Sequence, residues 1–199
     1  MKMSVLNRII FLFAGLLAGY QIIAGMDSYS NLTTALYTIS FGLLLLASLL
    51  LLLMGFEIME NDFVAVVATL IPITLSLGLV TDKLENAFFY SILISVTFVV
   101  AVYLRFFSAG KVALLSLGAI HLLSGSVVFF LPIVLFLNGR AEAHILMISL
   151  GGIIIGTAGF ALGFLKTGKL VDMKEKIFSL FPTILFLTTL AFVIGLMTN

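Results

Sequence analysis

Seven long apolar runs, separated by short polar breaks, occupy almost all of this 199-residue chain. A helix of about 20 apolar residues spans a bilayer, and such a helix pairs its own backbone N–H and C=O groups where no water can. Only 10% of the residues are charged, against roughly 25% in soluble domains. The sequence therefore predicts an all-α integral membrane protein, a seven-transmembrane helix bundle that forms one membrane domain over residues 1–199.

The positions of basic residues predict how this bundle is oriented. The predicted spans are 9–26, 34–56, 63–80, 87–107, 112–137, 145–165 and 177–197. Lys and Arg are enriched in short cytoplasmic loops. An N-inside orientation leaves only Lys83 and Arg140 outside and places the other eight of the ten basic residues in the cytoplasm. We expect a multi-pass protein of the cell membrane, N-inside and C-outside.

Three pairs of spans resemble one another in residue size, and the pairs occur in the same order along the chain. The matching segments are 18–25 with 118–125, 39–42 with 148–151, and 69–72 with 179–182. Internal repeats are a signature of transporter folds. The order predicts a parallel 3+1+3 repeat with halves 9–80 and 112–197, joined by a linker helix at 87–107. Chance is the alternative, because apolar helices share a small set of residue types.

Gln21 and His121 occupy matching positions of this repeat, roughly 15 Å into their helices. Polar groups at that depth normally face the bundle interior and often mark a solute or proton path. The alternative is that each hydrogen-bonds a neighbouring helix and only stabilises packing. With them we include, as pathway or binding candidates, two polar neighbours in the matched segments and two prolines that could interrupt matching helices: Tyr20, Ser124, Pro72 and Pro182.

An acidic turn follows the second span and is expected on the cytoplasmic side. It contains Glu57, Glu60 and Asp62. One interpretation is a vestibule that concentrates cations, or a docking face for a basic partner. The other is helix capping by Asn61 or Asp62, because a helix N-terminus favours oxygen acceptors and negative charge. We favour capping for Asp62, and the two glutamates are less well explained by it.

Glycines at small-xxx-small spacing predict close helix packing in the first and sixth spans. Small residues let transmembrane backbones approach closely. The pattern is compatible with an internal interface or with a homo-oligomer. The glycines concerned are Gly15, Gly19, Gly152, Gly156, Gly159 and Gly163.

Recognisable catalytic chemistry is missing from the sequence. The chain has no cysteine and only two histidines, and it has no zinc-binding glutamate–histidine motif, no serine–histidine dyad and no phosphate-binding loop. We therefore expect no metal, no cofactor and no enzyme activity. The net charge of +1 gives no basic field suited to nucleic acid.

One stretch resembles the acetate uptake transporter family. It comprises Gln21-Ile22-Ile23-Ala24-Gly25-Met26, then Tyr29, Asn31 and Ser40-Phe41-Gly42, with a looser similarity around Gly151, Gly152, Gly156 and Ala161. About a third of the chain is covered. The resemblance implies passage of a small monocarboxylate or a similar solute, in an oligomer. The chain departs from the family in having seven spans rather than six and in lacking its N-terminal motif.

Two functions follow from these patterns. The leading prediction is a channel or transporter for a small polar solute, with a polar site near mid-membrane. The alternative is a non-catalytic subunit or scaffold of a larger membrane complex. The expected partners are the lipid bilayer and either further copies of the chain or other membrane subunits.

Overall fold

The structure is a computed structural model that describes residues 3–26, 28–108, 111–166, 168 and 170–197. Each of the seven predicted spans is a helix, and its ends lie within four residues of the predicted bounds. The helices are α1 (Val5–Ala24), α2 (Asn31–Met54), α3 (Asp62–Lys83), α4 (Phe88–Phe107), α5 (Lys111–Leu137), α6 (Leu146–Lys166) and α7 (Lys174–Gly195). All seven contain stretches long and apolar enough to cross a membrane.

Side-chain caps explain where three of the helices begin. The Ser4 hydroxyl accepts a hydrogen bond from the backbone N–H of Asn7, and Ser30 does the same for Thr33. At the start of α3, the side chain of Asn61 accepts from two backbone N–H groups. These caps satisfy donors that have no partner within the helix.

Short 3-10 helices lie in three of the connections between consecutive α-helices. They are Gly55–Glu60 between α2 and α3, Ala143–Ile145 before α6, and Val171–Met173 before α7. Such short connections keep consecutive helices antiparallel. The two ends of the bundle are called here the Tyr29 end, which carries the α1–α2 connection, and the Asn61 end, which carries the α2–α3 connection.

Six helices pack as a closed ring. In order of contact the ring runs α1, α2, α3, α5, α6 and α7, and α7 packs back against α1. Helix α4 lies outside the ring and packs mainly on α5, with a smaller contact to α3. This position explains why only 11% of its apolar window is buried, against 50% for α3.

The main core fills the ring and is rich in aromatic side chains. Phe11 of α1 and Tyr37 and Phe41 of α2 are fully buried in it. A second, smaller core lies between α3, α4 and α5 and includes Ile94 and Ile120. Interhelical packing of this kind replaces the hydrophobic driving force that lipid cannot supply.

Buried hydroxyl groups join neighbouring helices of the ring. Ser40 of α2 donates a hydrogen bond to the backbone carbonyl of Ile71 in α3, with 3.0 Å between the oxygens. Ser149 of α6 donates to the carbonyl of Phe129 in α5 at 2.7 Å. Both serines are buried, so these bonds form inside the helix packing and not at the lipid surface.

Candidate functional site: a cavity at one end of the ring

Gln21 and His121, the central pair of the sequence prediction, lie in different surroundings. Gln21 is 1% exposed, and its side-chain nitrogen is 3.3 Å from the backbone oxygen of Gly25 in the same helix. His121 is exposed on the surface of α5, where its Nδ1 lies 3.3 Å from the carbonyl oxygen of Leu117. Because α1 packs on α2 and α7 whereas α5 packs on α3, α4 and α6, the two side chains do not share one site.

The other pathway candidates are also separated. Tyr20 is 56% exposed on the surface of α1, and Ser124 is fully buried with its hydroxyl donating to the Ile120 carbonyl of its own helix at 2.8 Å. Pro72 and Pro182 lie inside α3 and α7, and each helix continues beyond its proline. Because α3 and α7 both end at the Tyr29 end of the bundle, the two prolines lie in helices whose C-terminal ends are at that end.

The acidic turn lies at the Asn61 end of the bundle. Asn61, one of the two residues expected to cap α3, is its side-chain cap. Asp62 occupies the first turn, and its carboxylate pairs with the guanidinium of Arg105 at the end of α4. Glu57 is exposed, and the side chain of Glu60 lies outside the described part of the chain. The acidic residues thus do not form a pocket among the described side chains.

The predicted packing glycines divide into two sets. A Cβ atom on Gly15 would lie 3.3 Å from Leu45 of α2, and one on Gly152 would lie 3.3 Å from Val128 of α5. These two glycines therefore sit at internal interfaces, as their spacing predicts. The other four have no heavy atom of the described chain within 4 Å of such a Cβ: Gly19, Gly156, Gly159 and Gly163.

A cavity of about 290 Å³ opens at the Tyr29 end of the ring. Four parts of the chain form it: the α1–α2 connection, the end of α3, the α5–α6 connection and the end of α7. Its floor includes Leu79 and Ile148, both fully buried. Its polar wall consists of four side chains: Tyr29, Lys83, Glu142 and His144.

Two pairs of ionisable groups flank this cavity. Lys83 Nζ lies 2.9 Å from a carboxylate oxygen of Asp82 at the end of α3. In the α5–α6 connection, His144 Nδ1 lies 3.6 Å from a carboxylate oxygen of Glu142. Lys83 and His144 are about one-third exposed and Glu142 is 72% exposed. Lys83, Glu142 and His144 therefore remain accessible to a solute that enters the cavity, whereas the Asp82 oxygen that pairs with Lys83 is buried.

Two tyrosines lie beside the Asp82–Lys83 pair. The Tyr29 hydroxyl donates to the backbone carbonyl of Leu196 at 2.8 Å, which ties the α1–α2 connection to the end of α7. Burial, and then the negative charge of Asp82, raise the pKa of Tyr29 to about 12. The Tyr29 ring packs edge-on against the ring of Tyr37, with 5.1 Å between centroids.

Tyr37 is fully buried, and its hydroxyl has no hydrogen-bond partner among the described protein atoms. Its ring lies directly over Gly78 of α3, where a Cβ atom would come within 2.3 Å of the ring. Gly78 and Asp82 are four residues apart and so share one face of α3. A buried hydroxyl without a partner costs free energy, so Tyr37 is less favourable at this position than its ring packing alone would make it.

The Asn61 end of the ring is closed by aromatic side chains. The rings of Phe56 and Phe178 stack with 5.0 Å between centroids, and Phe11 packs edge-on against Phe56 at 6.1 Å. Each of the three is at most 9% exposed. The ring is thus open to a cavity at one end and sealed at the other.

Sequence reasoning did not select the residues of the cavity wall. Lys83, Glu142 and His144 lie at span ends, where charged residues are common for reasons of insertion and solubility. One signal was available: Asp82 is an acidic residue adjoining Lys83 within the last turn of α3, so the bundle carries an ion pair there. The sequence does not reveal that two such pairs face one space.

The fold defines the class of the protein as a multi-pass helical membrane protein. The chain matches no protein family, no curated protein and no solved structure. Within the described ranges, no group of three or more His, Asp or Glu side chains is placed to hold a metal ion. The resemblance to the acetate uptake transporters stays a prediction.

Proposed function

We propose that this protein is a transporter or channel of the cell membrane that carries a small polar solute, and that the cavity at the Tyr29 end is the entrance. The observation that carries the proposal is the polar wall of that cavity. Lys83, Glu142 and His144 point into a space enclosed by four parts of the chain. Such a concave site with a few convergent polar groups is the usual form of a small-molecule site.

The helix neighbours support an internal repeat in this protein. In the proposed repeat, α1, α2 and α3 correspond to α5, α6 and α7. The contact between α1 and α2 then corresponds to the one between α5 and α6, and the contact between α2 and α3 corresponds to the one between α6 and α7. The contact between α1 and α7 corresponds to the one between α5 and α3, and all six contacts occur. The cavity then lies between equivalent ends of the two halves, so it opens onto the interface between repeats, where such transporters bind their substrates nearer the membrane midplane.

The two ends of the ring support a transporter in a state open to one side. In the N-inside orientation, the cavity faces outward and the stacked Phe56 and Phe178 face the cytoplasm. Pro72 and Pro182 lie in the two helices that extend from the cavity toward the opposite end. Proline removes one backbone hydrogen bond from each helix. Bending at these positions would open the aromatic seal and close the cavity.

Proteoliposomes provide the test of this function. Purified protein should carry small polar solutes faster than protein-free liposomes, and Lys83→Met should slow that flux at least about tenfold, because it removes a charged hydrogen-bond donor from the cavity wall. Lys176→Met is the matched control, since Lys176 is exposed at the other end of the bundle. Wild-type flux equal to that of protein-free liposomes would overturn the proposal.

A second function, that of a non-catalytic subunit of a membrane complex, is favoured by the open glycine face of α6. Gly156, Gly159 and Gly163 have no neighbour within 4 Å of a Cβ position, and small residues in transmembrane helices commonly face another helix. Purification in a mild detergent separates the two functions. A stoichiometric partner protein would favour the subunit, and a monomer or homo-oligomer would count against it.

A further inference from the structure

The cavity at the Tyr29 end presents groups of both charges to a solute, and we propose that it takes a small zwitterion, a molecule that carries one ammonium and one carboxylate group. This inference rests on the proposed transport function and names its substrate class. Lys83 is the group that binds the solute carboxylate, and Glu142 is the group that binds the solute ammonium.

The two binding groups come from different parts of the chain. Lys83 ends α3, whereas Glu142 lies in the connection between α5 and α6, and both line the same space. A solute that reaches both therefore bridges the two halves of the ring. Ligands that join two structural units across a cleft can stabilise one arrangement of those units over another.

Lys83 can bind a solute carboxylate without giving up its present partner. The Lys83 Nζ lies 2.9 Å from a carboxylate oxygen of Asp82, and this oxygen accepts no hydrogen bond within the described part of the chain. An ammonium group has three N–H donors, and the Lys83 side chain is 34% exposed and lines the cavity. Glu142, in the α5–α6 connection, lines the same cavity, is 72% exposed and has carboxylate oxygens, which accept hydrogen bonds from an ammonium group.

The opposite charges of Lys83 and Glu142 favour a zwitterion over either of its charged halves. The cavity is lined by the basic side chain of Lys83 and the acidic side chain of Glu142, and the acidic side chain of Asp82 lies next to Lys83. A lone anion at Lys83 faces both carboxylates, and a lone cation at Glu142 faces the lysine. A zwitterion brings an opposite charge to each of these two side chains and leaves the net charge of the cavity unchanged.

Tyr29 fixes one wall of the cavity. The Tyr29 hydroxyl donates to the Leu196 carbonyl, so it holds the cavity wall in place and does not compete for the solute. The cavity floor is apolar at Leu79 and Ile148. The hydrocarbon part of a small solute can rest there, while its charged groups reach the walls.

Three matched solutes test the inference in proteoliposomes. Glycine carries both an ammonium and a carboxylate group, acetate has only the carboxylate, and methylammonium has only the ammonium group. We expect radiolabelled glycine to enter at least about tenfold faster than either half, which corresponds to the loss of one charge-assisted contact. Acetate or methylammonium flux that equals or exceeds glycine flux would overturn the zwitterion, while leaving transport intact.

Two charge variants distinguish the binding roles. Glu142→Gln should slow glycine and raise the ratio of acetate to glycine flux, whereas Lys83→Met should slow glycine and raise the ratio of methylammonium to glycine flux. Lys176→Met should leave all three rates unchanged. Folding is checked by retention of a single size-exclusion peak. Ratios that do not move in opposite directions would overturn the assigned roles, and absence of flux for all three solutes would overturn the proposed function itself.

Discussion

Replacing Gly78 with alanine tests the packing between α2 and α3. A Cβ atom at this position would lie 2.3 Å from Cε1, 2.6 Å from Cδ1 and 3.0 Å from Cζ of Tyr37. Ordinary contacts at a Cβ begin at about 3.4 Å, so the Tyr37 ring must retreat by about 1 Å. The ring is fully buried, and it can retreat only by displacing its neighbours.

The cost of this displacement can be separated from the intrinsic effect of alanine. Inserting a methyl group into a packed interior typically costs about 1–3 kcal/mol, whereas alanine is favoured over glycine in a helix by about 1 kcal/mol. Gly42→Ala in α2 shares that helix gain but meets no heavy atom within 4 Å. We therefore expect Gly78→Ala to be less stable than Gly42→Ala by about 1–3 kcal/mol.

Reversible unfolding in mixed micelles, followed by helical circular dichroism, measures this difference. A double-mutant cycle with Tyr37→Ala identifies its source. Once the ring is absent, Gly78→Ala should cost no more than Gly42→Ala. Equal stability of the two glycine variants in the wild-type background would refute the close packing of Tyr37 on α3.

Two further measurements address the hydrogen bonds and the cavity wall. Ser40→Ala removes the donor to the Ile71 carbonyl and should destabilise the bundle by about 0.6 kcal/mol, the average for interhelical bonds in membranes. Ser126→Ala, which loses only a bond to its own helix, should cost less in the same unfolding assay. Tyr29 holds its proton more tightly when folded, since its pKa is raised from 10.0 to about 12. The free energy of unfolding should therefore fall as the pH rises from 10.0 to about 12, and it should fall less in Tyr29→Phe. An equal pH dependence of the two proteins would contradict the raised pKa of Tyr29.

The spans could be predicted from the sequence because one physical requirement dominates them. In lipid, the backbone of each segment must pair its own polar groups, so long apolar runs become helices. Helix α1 begins four residues before its predicted start because Ser4 caps it. Asn61 caps α3 in the same way, and Asp62 occupies its first turn; the sequence indicated this helix start with either residue.

The position of each helix face could not be predicted in the same way. In a soluble protein the apolar stripe of a helix identifies its buried side, but here lipid and protein interior are both apolar. His121 was therefore expected to face inward because of its polarity, and it lies on the surface of α5. The cavity brings together residues more than 50 positions apart, such as Lys83 and Glu142, and no local pattern in the sequence indicates this.

Thiol labelling in intact cells tests most directly whether the cavity opens to the outside. The chain has no cysteine, so a single introduced thiol reports one position. The account predicts that His144→Cys, in the cavity wall, reacts with a membrane-impermeant maleimide in intact cells, and that Lys176→Cys reacts only after the membrane is opened. Labelling of Lys176→Cys in intact cells, with His144→Cys protected until lysis, would contradict it.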